Sequence, residues 1–367
     1  MSAKALKYTA RSQPGEPLNF SVEDQTLPSP SNKQALVRFL AAAVSPSDYR
    51  VMTAGNEPSK GAGVREVSKR FAKAQAVTPV DPISGALSNL PSLPAVGGLE
   101  GVAVVESAGP GSSLKAGDWV IPAPGVGSWT THAVVDDAQL TPVPNNIPCE
   151  YAAVLGIAPA TAYRLLNDFA TLKEGDTVVL NGANTVTGQA VVQLAAARGI
   201  KTVAVMTQQP AFAEISGHLK ACGATVVAAD HTVKLFQMKD LMSALPPPKL
   251  ALDGVGGESG RALSRLLPKG GTMVCYGDVD ASGKDASGEE FMIPAEKNIA
   301  VKRFYLSDWL SSASPADKSK MMADLAGQVA AGKLSLLLER MSFENHRLAL
   351  RKGWEMMRER RLVMTFD

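Results

Sequence analysis

The chain has 367 residues, of which 45% are hydrophobic and 20% are charged, and its formal net charge is +2. This composition is that of a globular protein of about two domains, and so small a charge gives no electrostatic case for nucleic acid or an acidic membrane. The sequence has no apolar run of the roughly 18 residues that a membrane span requires, and its three scattered cysteines argue against a disulfide framework or a cysteine-rich zinc site.

The N-terminal part is predicted to be rich in short β-strands at close spacing, a pattern typical of a small barrel. These strands cover residues 3–9, 21–26, 34–43, 102–108, 131–135 and 140–143. A short helix is expected over 48–54, directly after the turn Ser45–Asp48. The N-terminus shows neither an apolar signal core nor an Arg-rich amphipathic presequence.

Residues 56–92 interrupt the strands with a segment dominated by Pro, Ser, Gly and Ala. Within it, Val64–Ala76 places its apolar residues near one helical face, and residues 60–75 carry five basic residues and one acidic residue. A long insertion in a compact domain is either functional or disordered. Two interpretations stay open: a solvated surface excursion, and a docking element for a protein partner.

The stretch Asp176–Met206 predicts a strand, a turn, a helix over 188–198 that ends at Gly199, and a second strand. Two buried strands joined by a short helix form a parallel crossover. The N-terminus of such a helix offers free N–H groups to a phosphate. The turn Gly182–Gly188 departs from G-x-G-x-x-G, so both dinucleotide binding and an ordinary crossover remain open.

Alternation of strands and helices continues to about residue 306 and predicts a doubly wound parallel sheet. The further strands are expected at 225–227, 250–253, 272–276 and 299–306, with helices around 218–222 and 262–267. The tail, residues 315–367, is predicted as two helices followed by a strand at 362–366.

Eight segments in order resemble the medium-chain dehydrogenase/reductase superfamily, and within it the mitochondrial trans-2-enoyl-thioester reductases of fatty acid synthesis. They are SPSD (45–48), LPAVGGLEGV (93–102), AGDWVIPA (116–123), PATAYRLL (159–166), GQAVVQLAAA (188–197), LALDGVGG (250–257), KGGTMVCYG (269–277) and FYLSDW (304–309). The resemblance implies an α/β protein with a GroES-like catalytic domain over 1–156, interrupted by the 56–92 insertion. A Rossmann domain follows over 157–309, and residues 310–367 return to the catalytic domain.

The resemblance also implies the chemistry: hydride transfer from NADPH to C3 of a 2-enoyl thioester of CoA or acyl carrier protein, and protonation at C2. It implies a mitochondrial location and a homodimer joined through the Rossmann sheets. No metal is expected, because Ser45 stands where zinc relatives carry a cysteine and the four histidines show no ligand spacing. It assigns cofactor contacts to Thr161, Asn184, Thr185, Gly188, Thr207, Gln209, Tyr276, Gly277, Phe304, Tyr305, Leu306 and Arg361.

The sequence departs from the family at the proton donor. A tyrosine hydroxyl polarises the thioester carbonyl in the family, but no tyrosine lies between Tyr49 and Tyr151 here. Tyr49 and Ser47 are therefore the candidate donors, and the alternative for Tyr49 is a packed helix residue. The insertion begins at this spot, so the substrate mouth is rebuilt or covered.

Other departures concern the cofactor. The branched Val186 replaces a glycine of the phosphate turn, Ala158 replaces an asparagine, and Thr207-Gln208-Gln209 stands where relatives carry arginine for the 2′-phosphate. Weak or lost NADPH binding is the consequence. Three interpretations remain open: a working reductase with an altered donor, a catalytically inactive relative used as a binding or assembly subunit, and a quinone or enone reductase.

Overall fold

The computed structural model describes residues 1–12, 19–53, 91–234, 236–277, 297–353 and 360–366. Of the predicted insertion, residues 56–90 lie outside the described residues. Among the described residues, no helix combines the length and the apolar character needed to cross a bilayer.

The N-terminal region forms two antiparallel sheets, which together are called the barrel. In the smaller sheet, β1 (Ser2–Tyr8) pairs with both β2 (Phe20–Thr26) and β4 (Ala95–Val96). The larger sheet is organised around β3 (Gln34–Val44), which alternates between half-buried and buried residues up to Ala41, as a strand with one core face requires, and is buried on both faces from Ala41 to Val44. Its other N-terminal strands are β5 (Gly101–Ala108), β6 (Trp119–Pro122), β7 (His132–Asp136) and β8 (Leu140–Val143).

The C-terminal segment joins this larger sheet. After α9 (Pro315–Ala330), the strand β15 (Leu338–Ser342) pairs in parallel with β16 (Arg361–Thr365), and β16 pairs antiparallel with β3. The helix α10 (His346–Gly353) lies between them in sequence. The predicted tail contained no strand at 338–342 and was wrong there, because this edge strand is largely half-exposed and carries Glu339 and Arg340.

The middle of the chain forms a parallel sheet of strand order β11-β10-β9-β12-β13-β14. The strands are β9 (Thr177–Leu180), β10 (Lys201–Met206), β11 (Val226–Ala229), β12 (Leu250–Asp253), β13 (Thr272–Cys275) and β14 (Ala300–Arg303). The strand order reverses between β9 and β12, which defines the switch point where open α/β sheets bind ligands.

The helices of this region are α2 (Cys149–Ala152), α3 (Ala158–Asp168), α4 (Val186–Ala196), α5 (Phe212–Ala221), α6 (Phe236–Ser243), α7 (Gly257–Ser264) and α8 (Leu306–Ser312). The crossover helix α4 begins two residues before the predicted start, because the Thr185 side chain caps it by accepting a hydrogen bond from Gly188 N. Gly199 follows with a φ of +67°, in agreement with the predicted left-handed stop.

Two further predictions for this region need correction. The sequence predicted a long apolar strand over 299–306, but β14 ends at Arg303 and its residues are all exposed. The helix α6 was not predicted, since residues 236–243 are amphipathic only to a small degree. One apolar core is continuous between the parallel sheet and the larger antiparallel sheet. It contains Leu180 from β9, Leu165 from α3, Leu325 from α9 and Ile121 from β6.

Candidate functional site

A buried polar network lies at the switch point, where β9 and β12 end. Asn181 Nδ2 donates to Asp253 Oδ1 at 2.6 Å, and Asn181 Oδ1 accepts from Gly254 N at 2.8 Å. Asp253 Oδ1 also accepts from Gly256 N at 2.9 Å. Burial raises the pKa of Asp253, against the lowering effect of these hydrogen bonds. The network fixes the ends of both strands at the switch point.

The turn between β9 and α4 is built by close backbone contact. A Cβ atom on Gly188 would lie 2.5 Å from Gly182 O, so only glycine fits there, and Gly182 itself has a φ of +60°. Thr185 Oγ1 donates to Gly182 O at 2.8 Å and accepts from Gly188 N at 3.1 Å. The half-buried Asn184 accepts through its carbonyl from Gln189 Nε2 at 2.9 Å. A helix N-terminus held this tightly is suited to a phosphate, whose charge it stabilises.

The loop after β10 lies beside this turn, because Ala183 N donates to Val205 O at 3.1 Å. It contains Thr207 and Gln209, both half-buried. Gln209 O accepts from Phe212 N at 2.9 Å, which anchors the loop to α5. The Gln209 Nε2 donor is buried and makes no hydrogen bond to any described residue.

The segments that follow β13 and β14 carry the other predicted cofactor contacts. Tyr276 is buried and its hydroxyl has no hydrogen-bond partner among the described residues. Burial, and secondarily the charge of Asp253, raises the pKa of that phenol. Gly277 packs so closely on Gly254 that a Cβ would lie 2.4 Å from its carbonyl oxygen. Tyr276 and Gly277 therefore offer a ligand one buried hydroxyl and their backbone polar groups.

The segment Phe304–Leu306 follows β14. Phe304 N donates to Cys275 O at 3.0 Å, and its ring packs edge-on against Phe169 with centroids 5.7 Å apart. Tyr305 is half-buried and Leu306 is fully buried. The following Ser307 Oγ is buried and has no hydrogen-bond partner among the described residues.

These features fit a dinucleotide. Each of Gln209, Tyr276 and Ser307 buries a polar atom that has no partner among the described residues. All three residues come after strands of the parallel sheet, on the side where the strands end and where the turn Gly182–Gly188 also lies. An unpaired buried polar group costs about 1–3 kcal/mol, a cost that a polar ligand along this side of the sheet would remove. The other predicted cofactor contacts on the same side of the sheet are Asn184, Thr185, Gly188 and Thr207.

A second cluster lies at the turn after β3 in the barrel. The buried carboxylate of Asp48 accepts from Ser45 N and Ser45 Oγ, each at 2.7 Å, and from Leu99 N at 2.8 Å. Burial raises the pKa of Asp48 to about 6, and the hydrogen bonds and the charge of Arg361 act in the opposite direction. Arg361 is close because β16 pairs with β3 at Leu362 and Val44.

The two candidate proton donors lie on α1 (Pro46–Thr53), in the same turn as Asp48. Ser47 is buried, whereas Tyr49 is half-buried and accepts a hydrogen bond from Thr53 Oγ1 through its carbonyl oxygen. The predicted contact Thr161 lies on α3, where it is fully buried and donates to Ile157 O at 2.8 Å. Its hydroxyl therefore already has a partner within its own helix.

Glu100 connects the barrel to the parallel sheet. Its buried carboxylate accepts from Ile157 N at 2.8 Å, directly before α3. The neighbouring Gly97 and Gly98 pack on the buried Trp129, whose Nε1 donates to Ala43 O at 3.0 Å. The loop 97–101 is thus fixed on both sides, and it carries Leu99 to Asp48.

A mainly apolar cavity of about 570 Å³, including its open mouth, adjoins this loop. Leu99 and Glu100 form part of its wall, together with Ile157 from the start of α3 and Thr141 from β8. The helices α8 and α9 contribute further apolar side chains, among them Leu310, Met321 and Met322. Its lining suits an apolar group. Among the described residues, no three His, Cys, Asp or Glu side chains come together as metal ligands.

Sequence reasoning did not identify Asn181, Asp253 and Glu100 as site residues. For Asn181 and Asp253 a signal existed, because each is the polar residue at the end of a buried strand of the parallel sheet. Glu100 had no such signal, since its partner Ile157 lies 57 residues away.

Comparison with known proteins gives consistent results. The family model of the alcohol dehydrogenase GroES-like domain matches residues 31–145. The mitochondrial enoyl-(acyl-carrier-protein) reductase of Bos taurus is 36% identical over 84% of this chain and 86% of that protein. The solved Etr1p/NADP/crotonyl-CoA complex is 22% identical with a TM-score of 0.77, and the Candida tropicalis Etr1p/Etr2p heterodimer of mitochondrial 2-enoyl thioester reductase is 22% identical with a TM-score of 0.76. Each covers 100% of both chains, and together these findings confirm the predicted fold class.

Proposed function

Because the chain belongs to the family of mitochondrial enoyl-(acyl-carrier-protein) reductases, we propose that it reduces 2-enoyl thioesters with NADPH. The observation that carries the proposal is the apolar cavity beside Leu99 and Glu100. The same loop joins the barrel to the parallel sheet, through the hydrogen bond from Ile157 N to Glu100, and that sheet fits a dinucleotide. A cofactor and an acyl chain are then bound on either side of one loop.

The chain's contribution is mainly to position the two reactants. Bound NADPH supplies a hydride for C3 of the enoyl group. The α4 N-terminus, closed by Thr185 and Gly188, would hold the pyrophosphate, and the buried hydroxyl of Tyr276 and the backbone near Gly277 would contact the nicotinamide half. The apolar wall around Met321 and Met322 takes the acyl chain and excludes water from it, which strengthens the polar contacts at its reactive end.

The proton donor is proposed to be Tyr49. A tyrosine phenol is in general a stronger acid than a serine hydroxyl, and Tyr49 is half-buried whereas Ser47 is buried. Asp48 positions the turn that carries both residues, because its carboxylate joins Ser45 to Leu99. Arg361, at the start of β16, supplies a cation near this turn.

The partners follow from the same reasoning. The acyl group is carried as a thioester of CoA or of acyl carrier protein. A second copy of the chain is proposed to pair along β14, which is the exposed edge of the parallel sheet. The domains are proposed as 1–156, 157–309 and 310–367, and the location as mitochondrial, in keeping with the relatives' names. The 56–92 insertion is proposed to contact a protein partner.

The test measures NADPH oxidation by the purified chain with trans-2-butenoyl-CoA and trans-2-decenoyl-CoA, and with a benzoquinone as the control acceptor. Thioester-dependent turnover that Tyr49→Phe lowers by at least about 100-fold, the lower end for positioned acid catalysis, supports both the reaction and the donor. Turnover with the quinone alone assigns the chain to a different reductase class. Absence of all turnover favours the assembly-subunit alternative.

A further inference from the structure

The loop after β10 decides how the ribose of the cofactor is recognised. In a Rossmann sheet, the residues that follow the second strand reach the 2′-position of the adenosine ribose. Here that strand is β10, which lies between β9 and β11, and the bond from Ala183 N to Val205 O places its end against the phosphate turn.

This loop is electrically neutral. Enzymes that use NAD place a carboxylate there for the 2′-hydroxyl, and those that use NADP place an arginine for the 2′-phosphate. Thr207, Gln208 and Gln209 provide neither group. A 2′-phosphate is therefore not repelled by a carboxylate of this loop, but it gains no charge-assisted hydrogen bond from it.

Gln209 is the residue of this loop whose side chain is prepared for a ligand. Its backbone is anchored by the hydrogen bond from Phe212 N, and its buried Nε2 donates to no described residue. A carboxamide carries both donors and an acceptor. It is therefore able to pair with a ribose hydroxyl as well as with a phosphate oxygen.

We propose that Gln209 recognises the ribose 2′-position as a neutral donor and acceptor, so that the chain accepts both NADPH and NADH. A neutral hydrogen bond changes affinity by at most about tenfold, so we expect the two dissociation constants to lie within about tenfold of each other. This inference rests on the proposed function and adds the cofactor specificity of the same site.

The test titrates the full chain with NADPH and with NADH, following cofactor fluorescence, and repeats both titrations on Gln209→Arg. A guanidinium at this position adds a charge-assisted contact, so we expect the variant to gain about 10- to 100-fold in preference for NADPH. Gln209→Ala is expected to weaken both cofactors to a similar extent.

The matched control is Gln208→Arg, which adds the same charge at the exposed neighbouring residue and is expected to raise the preference for NADPH by no more than about fivefold. Circular dichroism verifies that each variant is folded. A parent chain that prefers either cofactor by more than tenfold, or a Gln209→Arg variant with an unchanged preference, overturns the inference while thioester reduction stands. Failure of both cofactors to bind at millimolar concentration overturns the inference and the proposed function together.

Discussion

Substitution of Gly188 by alanine is predicted to damage the phosphate turn, although alanine is the better helix former. A Cβ at this position would lie 2.5 Å from Gly182 O and 2.6 Å from Ala183 Cα, both backbone atoms. The turn must then move away from α4. Overpacking of this kind costs about 1–3 kcal/mol, and we expect the free energy of unfolding to fall by that amount.

The same displacement moves the backbone that is proposed to contact the pyrophosphate. A loss of about 1–3 kcal/mol in binding corresponds to a roughly 5- to 150-fold weaker NADPH affinity. Urea denaturation measures the first effect and a fluorescence titration with NADPH measures the second.

The matched control for Gly188→Ala is Gly327→Ala, in the exposed part of α9. No atom lies within 4 Å of its Cβ position, so there the alanine is expected to raise the free energy of unfolding by about 0.5–1 kcal/mol. The reasoning is refuted if Gly188→Ala is as stable as Gly327→Ala and binds NADPH with the parent affinity.

Three further predictions concern the barrel and the cavity. Burial raises the pKa of Asp48 to about 6 from 3.8. Because the folded state then keeps a proton that the unfolded state has lost, the free energy of unfolding is expected to decline by about 3 kcal/mol as pH rises from about 4 to about 6. Urea denaturation at several pH values should show this decline in the parent and not in Asp48→Asn, and the same pH dependence in both proteins would contradict it. Thr141→Trp fills the cavity and should raise KM for trans-2-decenoyl-CoA at least about tenfold while trans-2-butenoyl-CoA is little affected, with Thr141→Val as the control. Trp129→Phe leaves Ala43 O without its indole donor and should lower the free energy of unfolding by about 1–3 kcal/mol, as measured by urea denaturation; no loss would exclude that bond as a stabilising contact.

The elements that the sequence predicted well have a strong local signal. The strand β3 alternates between half-buried and buried residues from Gln34 to Ala41. The crossover from β9 through α4 to β10 is bounded by Gly182 and Gly199, whose positive φ values only glycine adopts easily. Periodicity and the positions of glycine were therefore enough to identify the parallel sheet and the turn that begins its crossover helix.

The parts that the sequence did not predict depend on contacts between distant residues. β15 is held by β16 and has little apolar pattern of its own. Asp48 and Arg361 are brought together by the pairing of β16 with β3, and Glu100 meets Ile157 across the boundary between barrel and sheet. Such pairs have no sequence spacing to detect, because only the tertiary fold makes them neighbours.

The most direct test of the central claim is to incubate the chain with NADPH carrying deuterium at C4 of the nicotinamide and with trans-2-butenoyl-CoA, and to analyse the product by mass spectrometry and NMR. The proposed function predicts butanoyl-CoA with a solvent-derived proton at C2. It also predicts one deuterium at C3 when the deuterium is on the face of the nicotinamide that the chain uses. Recovery of the unchanged enoyl thioester, in a preparation that binds NADPH, would contradict it.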